Sequence, residues 1–340
     1  MVNMVSGYNS CPWRARMPLA LLLFTLFLGT VSSAQVAPPA AEYVGSELCG
    51  LCHAEQLSQL QKTGMAVLFD EKYPPEQRGC EACHGPGSAH VEAISEATDE
   101  EATRRAAQLI YSFTRGSTQE NTARCQACHR QDEKQRLYDR SRHLGAGVSC
   151  VECHSPHRLN PLTSPARPPE ALAAQFSVPE RPAEREWLNN SLVRDNQPGL
   201  CYSCHRDIEA QFQLPIRHRV NEGVVQCTDC HNPHGSITAS ELRATGTEAC
   251  YSCHVEKRGP FVFEHAASRV EGCTACHTPH GSINRQLLKR RQDRQLCLEC
   301  HTAPEALNVP HPRLGFQAAG ECTRCHIDVH GSNYQRQFLR

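Results

Sequence analysis

The stretch Cys227-Thr-Asp-Cys230-His231-Asn-Pro-His234-Gly-Ser236 returns 46 residues later as Cys273-Thr-Ala-Cys276-His277-Thr-Pro-His280-Gly-Ser282. Its core, two cysteines three apart with a histidine directly after, occurs ten times in 340 residues. The other eight copies are Cys49-Cys52-His53, Cys80-Cys83-His84, Cys125-Cys128-His129, Cys150-Cys153-His154, Cys201-Cys204-His205, Cys250-Cys253-His254, Cys297-Cys300-His301 and Cys322-Cys325-His326. Together the motifs use 20 of the 21 cysteines. Two thiols at this spacing can add to the two vinyl groups of one porphyrin, which brings the next residue's imidazole beneath the iron; this is the attachment signature of haem c. The protein then supplies position, and the iron supplies redox chemistry. One copy alone would read equally as a redox dithiol or half of a zinc site. Ten copies with histidine always fifth do not, and a disulfide framework has no need of that histidine. Ten covalently attached haems c are expected.

The nine remaining histidines fall into register once the motifs are taken in pairs. A spare histidine follows the first motif's own by 10 to 14 residues and the second motif's by 3 to 6. Five such modules fill the chain. They group His129 with His143 and His154 with His157; His205 with His218 and His231 with His234; His254 with His265 and His277 with His280; and His301 with His311 and His326 with His330. In the first module His84 goes with His90, and His53 is followed 12 residues on by Met65. No histidine lies outside the scheme, so the spare ones read as ligands of the opposite haem faces. A histidine three residues beyond another reaches only about 10 Å, which is tight for passing round its own haem. His157, His234 and His280 are therefore expected to serve neighbouring haems, and spacing does not say which.

Ten haems and nine spare histidines leave one iron different, and the register assigns it to the haem on Cys49 and Cys52. Met65 holds the missing place and is the sole methionine beyond residue 34, since Met1, Met4 and Met17 all precede it. A methionine ligand would raise that haem's potential. The alternative is that Met65 packs in an amphipathic helix, Ala54 to Phe69, and leaves the iron open.

Residues 1–34 read as a secretory signal peptide: Arg14 and Arg16, the apolar run Leu19 to Leu28, then Ser32-Ser33-Ala34. Cys11, the odd cysteine, would leave with it. Nothing else approaches the roughly 20 apolar residues of a membrane helix, so the remainder is expected in the periplasm or beyond. Without Arg14 and Arg16 the 35 basic residues become 33 against 36 acidic ones, a balance of −3 that carries no nucleic-acid footprint. Only five of the 35 are lysine. Arginine's planar fork suits haem propionates, although codon bias explains the preference equally well. Residues 35–340 give each haem 306/10, about 31 residues, too few for an ordinary apolar core. The fold class is thus a multihaem cytochrome c, with mostly short α-helices and coil around a haem stack, little or no β structure, and poor folding without haem.

Modules start 76, 76, 49 and 47 residues apart, so the N-terminal half holds extra material. Within residues 91–124, Glu92 to Tyr111 reads as one solvated helix without chemistry. Residues 158–200 carry seven prolines, among them Pro168 and Pro169, and read as a stiff extended segment. The expected division is 35–157 with four haems, 158–200 as connector and 201–340 with six haems.

The chain resembles the decahaem periplasmic cytochromes of the outer-membrane conduit family, the Mtr-type and DmsE-type proteins. The strings that carry this are Phe212-Gln-Leu-Pro-Ile-Arg-His218, Cys230-His-Asn-Pro-His-Gly-Ser236, Lys257-Arg-Gly-Pro-Phe-Val-Phe-Glu-His265, Cys276-His-Thr-Pro-His-Gly-Ser282 and Cys80-Glu-Ala-Cys-His-Gly-Pro-Gly-Ser-Ala-His90. The resemblance implies a non-catalytic relay of electrons across the periplasm and outer membrane. It also implies an outer-membrane β-barrel porin as sleeve, periplasmic or inner-membrane carriers on one side, and an extracellular multihaem cytochrome, metal oxide, ferrous iron or DMSO-type system on the other. A loop-rich chain cannot face lipid, which gives the barrel a physical reason. The family usually has histidine where this chain has Met65. Two other classes stay open: a multihaem reductase with an open site at the Cys49 haem, and a soluble electron shuttle. A higher-potential first haem would point to a high-potential periplasmic partner; direction of flow is otherwise not encoded.

Overall fold

The computed structural model describes residues 41–157, 192–301 and 320–339. Helix positions i, i+3 and i+4 lie on one side, so Cys-x-x-Cys-His presents both sulfurs and the imidazole together only when it coils into a helical turn. In nine of the ten motifs the histidine N–H closes that turn on the first cysteine's carbonyl, at 2.8–3.0 Å. The tenth, His129, ends a continuous 12-residue helix. The helices that carry motifs are short because each needs only to set one motif, and those between them are short as well. They are α1 Ser46–Cys52, α2 Ala54–Gln61, α3 Glu81–His84, α4 Ser88–Ser95, α5 Glu100–Ala107, α6 Thr118–His129, α7 Arg142–Gly145 and α8 Cys150–Cys153, followed by single turns such as Cys227–Cys230 and Asp293–Cys297.

Four two-residue strands are described: β1 Ile216–Arg217, β2 Phe263–Glu264, β3 Gly281–Ser282 and β4 Gly331–Ser332. β1 pairs antiparallel with β3, Ile216 opposite Ser282, and β2 with β4, Phe263 opposite Ser332. Each pairing joins the residues before one spare histidine, His218 or His265, to those after another, His280 or His330. The sheets are clamps between modules. Glycine is needed in the His-Gly-Ser strings because a Cβ at Gly281 would strike the Gln211 carbonyl, and one at Gly331 the Phe261 ring.

Among the described residues only seven apolar side chains are buried: Leu60, Ala106, Tyr138, Val193, Tyr202, Phe212 and Val220. Three of them, Tyr202, Phe212 and Val220, form one small cluster. A chain of this size ordinarily buries far more, so short helices, coil and scant β structure are the architecture expected of a fold whose interior is its cofactors.

Two expected helices are corrected. The stretch Ala54 to Phe69 breaks after Gln61: Thr63 is extended at φ −106° and ψ 170°, and its hydroxyl accepts from the Met65 N–H at 3.1 Å to start a separate 3-10 turn, Gly64–Phe69. The stretch Glu92 to Tyr111 is a hairpin of α4 and α5, because Asp99 caps α5 by accepting from the Ala102 N–H at 2.7 Å. Its inner face is not solvated, since Ala106 is 1% exposed. Residues 1–34, His311 and most of the proline-rich segment lie outside the described residues.

Glu81, 3% exposed, accepts from the N–H groups of Val44 at 2.9 Å, Gly45 at 2.8 Å and Gly87 at 2.8 Å. It ties residues 41–45 to the loop that leads to His90. Glu81→Ala strands three donors and is expected to cost about 2–4 kcal/mol. The checks are a lowered thermal midpoint and early proteolysis near residue 45, with Glu81→Gln intermediate.

Candidate functional site

The motif turns stand in single file. Within each module the leading sulfurs are interacting neighbours: Cys49 with Cys80, Cys125 with Cys150, Cys201 with Cys227, Cys250 with Cys273 and Cys297 with Cys322. Between modules the trailing sulfurs lie within electrostatic range of one another: Cys83 and Cys128, Cys153 and Cys204, Cys230 and Cys253, Cys276 and Cys300. Spatial order therefore follows chain order from the first motif to the tenth. None of the 20 described cysteines forms a disulfide. As a free thiol, Cys80 is pulled down to about 6 by the neighbouring Cys49, while Cys49 rises. Thioether formation would remove that titration.

Seven histidine pairs face each other across a nearly constant gap. Ring centres are 6.0 Å apart for His84 and His157, 6.0 Å for His143 and His205, 5.9 Å for His154 and His234, and 6.2 Å for His218 and His254. The others are His231 and His280 at 6.1 Å, His265 and His301 at 6.3 Å, and His277 and His330 at 6.2 Å. Each pair joins one motif histidine to one spare histidine. The ring tilt runs from 13° to 80°. Ring–ring attraction prefers particular tilts; a fixed separation with free tilt is what two ligands of one centre produce. An imidazole nitrogen sits about 2 Å from a first-row metal with the ring centre about 1 Å beyond, which sets opposed rings about 6 Å apart. The residues fit haem c with two imidazoles per iron. Among the described residues no three His, Cys, Asp or Glu side chains converge as a metal cluster needs.

The pairing crosses modules by a rule. Spare histidines after a first motif reach forward: His143 to His205, His218 to His254, His265 to His301. Spare histidines after a second motif reach back: His157 to His84, His234 to His154, His280 to His231, His330 to His277. Grouped by sequence, His143 belongs with His129 and His218 with His205; in space they turn to the next module. The cause is local. His143 Nδ1 donates to the Pro233 carbonyl at 2.9 Å and His218 Nδ1 to the Pro279 carbonyl at 2.6 Å, each just before the next module's spare histidine.

The remaining ring nitrogens are prepared as ligands. His84 Nδ1 donates to the Tyr111 carbonyl at 2.8 Å, His231 to Ser240 at 2.8 Å, His277 to Gln286 at 2.8 Å, and His326 to Gln337 at 2.6 Å. Such bonds place the proton on Nδ1 and leave Nε2 for a metal. Ser240 and Gln286 present these carbonyls from left-handed backbone, φ 56° and 55°, at about 1–3 kcal/mol of strain each. Burial holds His157, His265, His280 and His330 below the usual imidazole range and takes His234 down to about 4, so these rings are neutral near pH 7. His129 differs, because its Nδ1 meets the Asp132 carboxylate at 2.7 Å.

These supporting groups were not picked out from sequence, although Ser240 and Gln286 share a signal: both lie nine residues after a motif histidine. The expectation that Glu92 to Tyr111 carries no chemistry is corrected. These residues supply the Tyr111 carbonyl to His84 and the Ala106 carbonyl to His90 at 2.9 Å. His53, His90, His129 and His326 stand outside the seven facing pairs, as does Met65.

A file of Cys-x-x-Cys-His turns with opposed imidazoles defines a multihaem c-type cytochrome. The family model of the doubled CXXCH motif matches residues 218–259 and 265–306, and that of cytochrome c554 and c-prime matches 30–85 and 87–155. The multihaem cytochrome MtrA of Shewanella baltica (strain OS185) is 33% identical over 306 residues, covering 85% of this chain and 79% of that one. The chain belongs to the MtrA-type multihaem cytochromes; it binds haem c and is an electron carrier. Each doubled-motif unit opens on a spare histidine, His218 or His265, and closes just past the motif histidine it faces, His254 or His301.

Crossed ligation predicts which double losses coincide. His280→Ala with His231→Ala removes both ligands from one iron, whereas His280→Ala with His277→Ala disturbs two irons. Counting high-spin haems by magnetic circular dichroism is expected to give one in the first case and two in the second.

Proposed function

We propose that all ten motifs carry haem and that the chain relays single electrons across the periplasm and outer membrane. It would lie in an outer-membrane β-barrel and exchange with periplasmic or inner-membrane carriers on one side. On the other it would meet an extracellular multihaem cytochrome or a terminal donor or acceptor such as a metal oxide or ferrous iron. Residues 1–34 would direct export.

The single file of motif turns carries this reading. Adjacent motifs neighbour one another along the file, so haem edges would lie close along an unbranched path with one entrance and one exit. Bound haem supplies one-electron redox chemistry; the protein's side chains hold it and leave little to rearrange. The paired imidazoles would hold bound haem from both sides and would leave no position for water or substrate. A reductase needs the opposite, an iron with a free face. Among the described residues no helix is long and apolar enough to cross a membrane, so passage through lipid would depend on a partner's closed barrel.

The test is reconstitution. Vesicles enclosing a reduced dye, with the co-purified barrel and this protein inserted, are expected to reduce external ferric oxide. Barrel without the cytochrome is expected to leave the dye reduced. Failure of the chain to co-purify with any outer-membrane barrel would remove the conduit and leave a periplasmic shuttle. Intact-protein mass checks the haem count.

A further inference from the structure

We propose that Met65 is the axial ligand of the third haem, on Cys125 and Cys128 opposite His129, and that His90 serves the first haem, on Cys49 and Cys52 opposite His53. The proposal rests on the ten-haem reading above and reassigns the one non-histidine ligand that the sequence places on the first haem.

The forward rule is the starting point. In every described case the spare residue after a first motif serves the first motif of the following module: His143 serves His205, His218 serves His254 and His265 serves His301. Met65 holds that place in the first module, and the next first motif is His129. The local backbone agrees. His143 is the second residue of α7, which Ser141 starts from an extended conformation with its hydroxyl accepting from the Leu144 N–H at 3.1 Å. Met65 is likewise the second residue of its turn, which Thr63 starts from an extended conformation, the hydroxyl accepting from the Met65 N–H at 3.1 Å. Thr63-Gly64-Met65 is the structural counterpart of Ser141-Arg142-His143.

The first two modules also dock as later ones do. Cys83 lies within electrostatic range of Cys128 as Cys230 does of Cys253. His157 reaches back to His84 and lies against the backbone of Gln56, on the helix after the preceding module's first motif. His280 reaches back to His231 and meets Gln211, on the equivalent helix Arg206–Gln211, at 3.2 Å. With the same docking, the forward ligand of the first module has the same target. His129 faces no other imidazole in the described pairs, and Asp132 occupies its Nδ1, which leaves Nε2 for the metal.

His90 follows from the ends of the file. Spare residues after a second motif reach back one module, and no module precedes the first, so His90 has no such target. His53, for its part, has no preceding module to send it a forward ligand. The Ala106 carbonyl fixes the His90 proton on Nδ1 at 2.9 Å, which readies Nε2 as a ligand. The first haem would thus be closed within its own module, and the methionine would lie further along the file. A thioether raises the potential relative to a second imidazole, while the Asp132 carboxylate on His129 makes that imidazole a stronger donor and acts the other way. The distinct potential would then sit between two ordinary haems, with the first haem ordinary too, so it is not an entry port matched to a high-potential carrier.

The test uses the oxidised holo-protein and the near-infrared charge-transfer band of methionine-ligated haem. The native protein is expected to show this band for one haem and no high-spin haem; Met65→His loses the band without creating a high-spin haem. Asp132→Asn, a surface change, is expected to shift the reduction midpoint of that band upward, because Asp132 touches only the third haem's histidine. His90→Ala is expected to create one high-spin haem and leave the band untouched. Ten haems by mass but no methionine band overturn the proposal alone, as does a band whose midpoint ignores Asp132→Asn. A Cys125 peptide without haem overturns the ten-haem reading and this proposal with it.

Discussion

Two imidazoles from different modules, turned toward one another across about 6 Å, are the constraint on which everything else depends. A ligand that reaches into the next module makes each haem a joint between two stretches of chain. His143 joins the second module to the third, and His234 joins them again in the opposite direction. From the second module to the fifth, adjacent modules would thus be held by two metal-centred crosslinks each, with a clamp such as β1 on β3 added in the C-terminal half. Nearest-neighbour coupling of this kind makes stability a sum along the file, as in solenoid repeats, with metal–ligand bonds in place of an apolar core.

That substitution explains features which are unfavourable taken singly. Left-handed backbone at Ser240 and Gln286 costs energy, and buried neutral histidines such as His234 give up a solvated charge. Both expenses recur at equivalent places, and both serve to aim a lone pair at an iron. The thin apolar interior follows as well. Buried Tyr138 and Phe212 pack beside spare histidines: Tyr138 lies 6.3 Å from the His234 ring, and Phe212 lies 5.3 Å from His280. Side chains that flank ligands exclude water from the iron, and a relay that needs no substrate access gains by this.

Much of the architecture was legible because covalent chemistry dictates it. Cys-x-x-Cys-His forces a helical turn, and ten such turns in 340 residues leave no room for long helices or wide sheets. The spare histidines were legible as a register. Their partners were not, because a one-dimensional offset does not encode direction; the Pro233 and Pro279 carbonyls that turn His143 and His218 forward act 90 and 61 residues away. The α4–α5 hairpin was misread for a related reason. Its composition is that of a solvated helix, and its use lies in two backbone carbonyls, at Ala106 and Tyr111, which carry no sequence signature.

Anomalous diffraction at the iron edge, from crystals of the holo-protein, tests the crossed single file most directly. It is expected to show ten irons in one unbranched row in motif order, the iron on Cys201 and Cys204 lying between His205 and His143. An iron on Cys201 and Cys204 flanked by His205 and His218, or irons grouped in separate clusters, would contradict it.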